Sequence, residues 1–166
     1  MLQPVRRRTW APKGKTPIQY SWDRHDRLSV ISAITISPKR RRLGLYFHIH
    51  PQNIRSEQAV PFLKALRRHL GRKFIVVLDR YSVHRKTVRL LGREHPDWFE
   101  TEWLPSYAPD LNPVEGVWNH SKYSDLANFI PADMQHLCRE LRGSLDAQKH
   151  KPELILSYFK HAELEL

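Results

Sequence analysis

Phe74-Ile75-Val76-Val77-Leu78-Asp79 is the stretch that decides the fold. Five apolar residues with β-branched members at their centre have the length and composition of a strand. An unbroken apolar run predicts a strand covered on both faces. The run ends in a carboxylate. Functional groups of α/β sheets gather at the carboxyl ends of strands, so Asp79 is the first candidate site residue. The competing reading is an exposed Asp capping the next helix.

Upstream, Leu28 to Ser37 alternates apolar and small polar residues and predicts a strand. Pro38-Lys39-Arg40-Arg41-Arg42 is a turn, and Leu43 to Ile49 predicts a second strand, giving a hairpin with a basic tip. Ser56 is read as the cap of a helix to Leu70, with Val60, Leu63, Leu66 and Leu70 at helical spacing and Gly71 as its stop. Downstream come a basic helix from Val83 to about Arg93, a short strand from Phe99 to Leu104, and a helix from Asn112 to about Asn128. Asp133 opens a helix with a Leu137, Leu141, Leu145 stripe, and a last helix runs from Glu153 to about Leu164. This order predicts a mixed α/β sheet flanked by helices. It is read as a single domain over 1–166, with 129–166 as a helical C-terminal part that either packs on the sheet or mediates dimer contacts.

The second informative stretch is Tyr107-Ala108-Pro109-Asp110-Leu111-Asn112-Pro113-Val114-Glu115-Gly116-Val117-Trp118. Asn112 suits the cap, Pro113 the first helical position, and Glu115 then falls where a capping box reaches back to the cap. A carboxylate there is also favoured by the helix dipole. Asp110 competes with Glu115 as the functional acid. Glu115 is preferred because a helix fixes its direction, while Asp110 orders the loop. Two carboxylates delivered this way can hold a divalent metal at a polynucleotide phosphate.

Composition points the same way. The chain of 166 residues carries 28 basic and 17 acidic residues, a net charge of +11. That balance suits a polyanionic partner, nucleic acid first. Arg85, Lys86 and Arg89 on the helix after Asp79 suit phosphate. The runs Arg6–Arg8, Lys39–Arg42 and Arg67-Arg68 are candidate backbone contacts. His84 can contact phosphate or hold the loop. Trp10 and Trp22 can stack on bases, although packing is the commoner role of a tryptophan. Trp118 is read as core. His48 and His50 share a strand face, but no third zinc ligand is evident. The single cysteine, Cys138, excludes an internal disulfide and is read as a small core residue. No apolar stretch approaches a membrane span, and no secretory signal is evident. A reducing, cytoplasmic setting is expected.

At these residues the chain resembles the catalytic domain of DDE transposases of the mariner-type superfamily, in the insertion-sequence six-thirty branch. The carrying motifs are Arg8-Thr9-Trp10-Ala11-Pro12-Lys13-Gly14-Lys15-Thr16-Pro17, then Val77-Leu78-Asp79 with His84, then Leu104 through Glu115. The 35 residues between Asp79 and Glu115 fall in the range of that superfamily. The resemblance implies a ribonuclease-H-like fold and a metal-dependent endonuclease that cuts and joins transposon ends. It also implies an Asp-Asp-Glu triad holding two Mg2+ or Mn2+ ions about 3.5–4 Å apart, with Asp79 as second acid and Glu115 as third. His84, Arg85, Lys86, Asn112, Trp10, Lys13 and Lys15 become candidate substrate contacts. Double-stranded DNA, a second copy, or a separate N-terminal transposase part become candidate partners.

In the family the first Asp precedes the Arg8–Pro17 segment on the central strand. Here Met1–Arg7 hold no acid, and Asp23 and Asp26 come after the segment. The sheet is therefore expected without its first, central strand, leaving unpaired strand edges and marginal stability. No cutting by this chain alone is expected. The alternatives are a DNA-binding fragment without chemistry and a ribonuclease-H-like nuclease acting on RNA–DNA hybrids. A requirement for a 2′-hydroxyl would mark the latter.

Overall fold

The computed structural model describes residues 5–18 and 27–165. Trp22, Asp23 and Asp26 lie outside the described residues. Strands β1 (Ser29–Ile36) and β2 (Leu43–His50) form an antiparallel hairpin, in register from Ser29 opposite His50 to Ile36 opposite Leu43. Helix α1 (Ser56–Leu70) leads to β3 (Phe74–Leu78), helix α2 (Ser82–Glu94) and β4 (Phe99–Trp103). β3 and β4 pair in parallel, Phe74 opposite Phe99 through Leu78 opposite Trp103. Then follow α3 (Pro113–His120), α4 (Met134–Lys149) and α5 (Pro152–His161).

The sheet is divided into two ladders. β1 pairs with β2 and β3 with β4, and among the described residues no strand joins them. They are linked by side chains instead. Phe62, Leu63 and Leu66 of α1 form a cluster with Leu91 and Phe99, against which Ile31, Ala33 and Tyr46 of the hairpin and Phe74 and Val76 of β3 pack. The opposite face of the hairpin is covered by the C-terminal half. Leu28 and Leu45 lie with Val117, Leu137, Leu141, Leu145 and Ile155, and Val30, Ile34 and Phe47 pack against them. Helices α4 and α5 thus pack on the hairpin, one of the two roles read for them. Cys138 and Trp118 pack against the same core.

Three local readings change. β3 is covered on one face only, since Ile75 and Val77 are 63% and 58% exposed. Its apolar run is continuous because the second face carries Ile and Val, not because helices cover it. Ser56 is the first residue of α1 and Arg55 takes the cap position, its N–H donating to Gln58 Oε1 at 2.9 Å. Gly71 stops the helix as expected, with φ of 68°. Helix α3 ends at His120, well short of Asn128, and Ser121–Asp125 forms a wider π-type turn closed by Leu126 N–H to Ser121 O at 2.9 Å.

Candidate active site

Asp79 stands directly after β3, where the chain turns toward α2. Its Oδ1 accepts from the Tyr81 N–H at 3.0 Å and lies 2.6 Å from Nδ1 of His84. An ionised carboxylate requires the ring nitrogen to be the donor. His84 thus fixes the direction of Asp79, one of the two roles read for it. The Oδ2 oxygen has no protein partner among the described residues. Arg80 adds a second restraint that sequence reasoning missed: its Nε donates to Leu104 O at 3.3 Å, tying the Asp79 loop to the segment after β4.

Glu115 is brought in from the other side. The loop after β4 turns at Tyr107, whose φ of 57° is left-handed, then coils through Pro109–Leu111 into α3. Asn112 caps α3 through Oδ1, which accepts from Val114 N–H at 3.2 Å. The capping role is as read. The substrate-contact role is not supported at that oxygen, because the cap already uses it. Glu115 does not close the expected capping box; its carboxylate has no hydrogen bond among the described residues. It is half-buried, and burial first, then the charge of Asp79, raises its pKa above the ordinary carboxylate value. The two acids therefore sense each other across the ends of β3 and α3. Asp110 lies exposed in the preceding turn.

The other sequence candidates divide. Arg85 is exposed on α2, and Lys86 pairs with Glu57 at 3.7 Å. Arg67 sits over the ring of Trp98 at 5.9 Å, which removes it from the backbone-contact candidates. Val5–Arg7 is tethered to the segment after α3: Asn128 N–H donates to Val5 O at 2.8 Å, Arg7 N–H to Asn128 Oδ1 at 2.7 Å, and Arg7 Nη1 to Tyr123 O at 2.6 Å. Arg7 is thereby a structural tether. Lys13 and Lys15 flank a turn in which Gly14 takes φ of 80°. Trp10 is fully exposed, so its expected packing role is overturned. No described contact brings Trp10, Lys13 or Lys15 to the carboxylates. His48 packs edge-on against Phe62. No group of three or more His, Cys, Asp or Glu placed to hold a metal occurs among the described residues.

The family model of the DDE superfamily endonucleases matches residues 1–137. The chain belongs to that family. A search of curated proteins finds no match. Among solved structures, a chain of the Mos1 strand transfer complex superposes with a TM-score of 0.61 at 17% identity, over 98% of this chain and 48% of that one. The chain thus spans about half the length of the solved chain it resembles, and the likeness supports the ribonuclease-H-like fold. The DDE family read from the motifs around Asp79 and Glu115 is borne out. No described helix is long and apolar enough to cross a membrane.

Proposed function

We propose that this chain is the catalytic portion of a DNA transposase, contributing two of three carboxylates to a site for phosphodiester hydrolysis and strand transfer. The observation that supports it most directly is that Asp79 and Glu115, from different elements, sense each other's charge, with Asp79 Oδ2 and the Glu115 carboxylate free of hydrogen bonds among the described residues. Hard carboxylate oxygens suit Mg2+ or Mn2+, so Asp79 Oδ2 and Glu115 fit as ligands of such an ion. When bound, the metal would supply Lewis-acid activation at the scissile phosphate. The protein's own groups do the rest. His84 and the Tyr81 N–H hold Asp79 in direction. The third acid comes from residues outside those described.

DNA is the partner this reading requires. The outward face of α2 carries Arg85, Arg89 and Arg93 at successive i, i+4 positions, all exposed. The acids nearby are engaged by lysines: Glu57 by Lys86, Glu94 by Lys64 and Glu100 by Lys73. The row starts beside the Asp79 loop and suits a backbone track for the strand entering the site. Trp10, Lys13 and Lys15 on the exposed arm supply a second contact. The cytoplasmic, nucleoid-associated setting and possible assembly with a second copy or an N-terminal transposase part belong to this same reading. A DNA-binding role without chemistry is the second reading, favoured by the same arginine row and the fully exposed Trp10.

The test is Mn2+ binding and plasmid nicking by the purified chain. Mn2+ affinity should fall at least about tenfold in Asp79→Asn and in Glu115→Gln, with no nicking by the chain alone. Nicking that Asp79→Ala abolishes would show that two carboxylates suffice. Mn2+ binding indifferent to both acids would leave only the DNA-binding role. Without metal, replacing Arg85, Arg89 and Arg93 with Ala should lower the salt dependence of DNA binding by about one unit of log–log slope per arginine. An unchanged slope would remove α2 from the interface.

A further inference from the structure

The residues beyond the family match hold a buried polar network that touches the helix bearing Glu115. Gln148 of α4 continues the Leu137, Leu141, Leu145 stripe, where another apolar residue would ordinarily stand, and it is 1% exposed. Its Nε2 donates to Ser121 Oγ at 2.8 Å and reaches Val117 O at 3.4 Å. Its Oε1 accepts from Tyr158 OH at 2.8 Å. Ser144 Oγ lies 2.7 Å from Ser121 Oγ and donates to Asp125 Oδ2 at 2.7 Å. Every polar end of Gln148 is therefore engaged, as a buried amide requires.

The same tyrosine sets how closely α5 approaches α3. A Cβ added at Gly116 would lie 2.6 Å from Cγ and Cδ1 of Tyr158. Only glycine lets the ring sit against the α3 backbone beside Glu115. On the opposite side, Trp118 Nε1 donates to Ser32 Oγ of β1 at 2.8 Å. Helix α3 is eight residues long, too short to hold its own direction in water. The Glu115 carboxylate has no hydrogen bond among the described residues, so its aim is the aim of α3.

We infer that Gln148 and Tyr158 are positioning residues: with Gly116 they clamp α3 from the C-terminal side and set where Glu115 meets Asp79. The clamp rests on the proposed metal reading for its function, and on geometry alone for its existence. It gives the chain beyond the family match a task at the site. A hollow of about 260 Å3 beside the network is lined by His120, Asp125, Glu140 and Gln148, among others, and by neither carboxylate of the site.

The experiment compares Gln148→Leu, Tyr158→Phe and their combination in the full chain. Each single change orphans a buried partner and should lower the melting temperature. The double change removes the hydrogen bond from both ends at nearly constant volume and should recover much of that loss. Mn2+ affinity should stay roughly ten- to a hundredfold below the parent in the double variant, with faster amide exchange across Val114–Val117. Affinity that returns to the parental value together with the melting temperature would reduce the network to a structural one and overturn the inference. So would unchanged α3 exchange in all three variants. A parent whose Mn2+ binding ignores Asp79 and Glu115 sinks the metal reading instead, and α3 exchange then decides the clamp by itself.

Discussion

The hairpin and the parallel pair are both two-stranded, yet they are built to different degrees of completeness. The β1–β2 hairpin has α1 on one face and α3, α4 and α5 on the other. The β3–β4 pair has α1 and α2 on one face, and on the other Ile75 and Val77 stand open beside Glu100 and Glu102. A two-stranded ladder is marginal without apolar cover, so the hairpin is the stable half and the parallel pair depends on shared packing. The site straddles the difference. Asp79 belongs to the open half, and Glu115 rides on a helix fastened to the covered half through Trp118 and Ser32. Their meeting is set by side-chain packing across α1 and by the α3 clamp, with no backbone hydrogen bonds between the ladders among the described residues.

The strongest way to break this comparison is at α1. Phe62, 4% exposed in the cluster shared by both ladders, should cost about 3–5 kcal/mol as Phe62→Ala in urea unfolding. A cost under about 1 kcal/mol would mean that the halves are joined by something other than α1. Native-state hydrogen exchange sharpens the same point: β3 and β4 amides should open before those of β1 and β2. Equal protection would make the two ladders one cooperative unit. Trp118→Phe removes the donor to Ser32 and should cost about 1 kcal/mol. Loss of stability without any change in Mn2+ affinity would detach that bond from the aim of Glu115.

Glu115→Gln tests the electrostatics of the seam. A carboxyl whose folded pKa is raised binds its proton more tightly in the folded state, so stability falls as pH rises from the ordinary carboxylate value through the raised one. In metal-free buffer Glu115→Gln should therefore raise the melting temperature at pH 7, and the gain should vanish near pH 4. A gain independent of pH would place its origin in packing. The smallest effect is expected on the open face, where Ile75→Thr should change stability by no more than about 0.5 kcal/mol. A loss of several kcal/mol there would show that a partner, such as a second copy, covers Ile75 in solution.

The carboxylates were legible because their local settings are local facts. A five-residue apolar run ending in Asp makes a strand delivering an acid, and Asn112-Pro113 before Glu115 starts a helix whatever surrounds it. Gln148 left a faint signal, an amide continuing a leucine stripe, with meaning only once Tyr158 is seen opposite it. The open face of β3 left none. Ile75 and Val77 read as buried by composition, and exposure depends on where distant helices dock.

The sequence by itself determined the elements, their order, the two acids at element ends, the net basic charge and the family. Helical and strand periodicity, caps and turn residues act over a few positions, and composition needs no fold at all. Only the tertiary structure decided that the sheet divides into two ladders, that α4 and α5 cover the hairpin, and that Trp10 stands free. It alone decided that His84 holds Asp79 and that Tyr158 rests on Gly116. Those outcomes are set by which apolar faces meet across long stretches of chain, and no local pattern encodes the meeting.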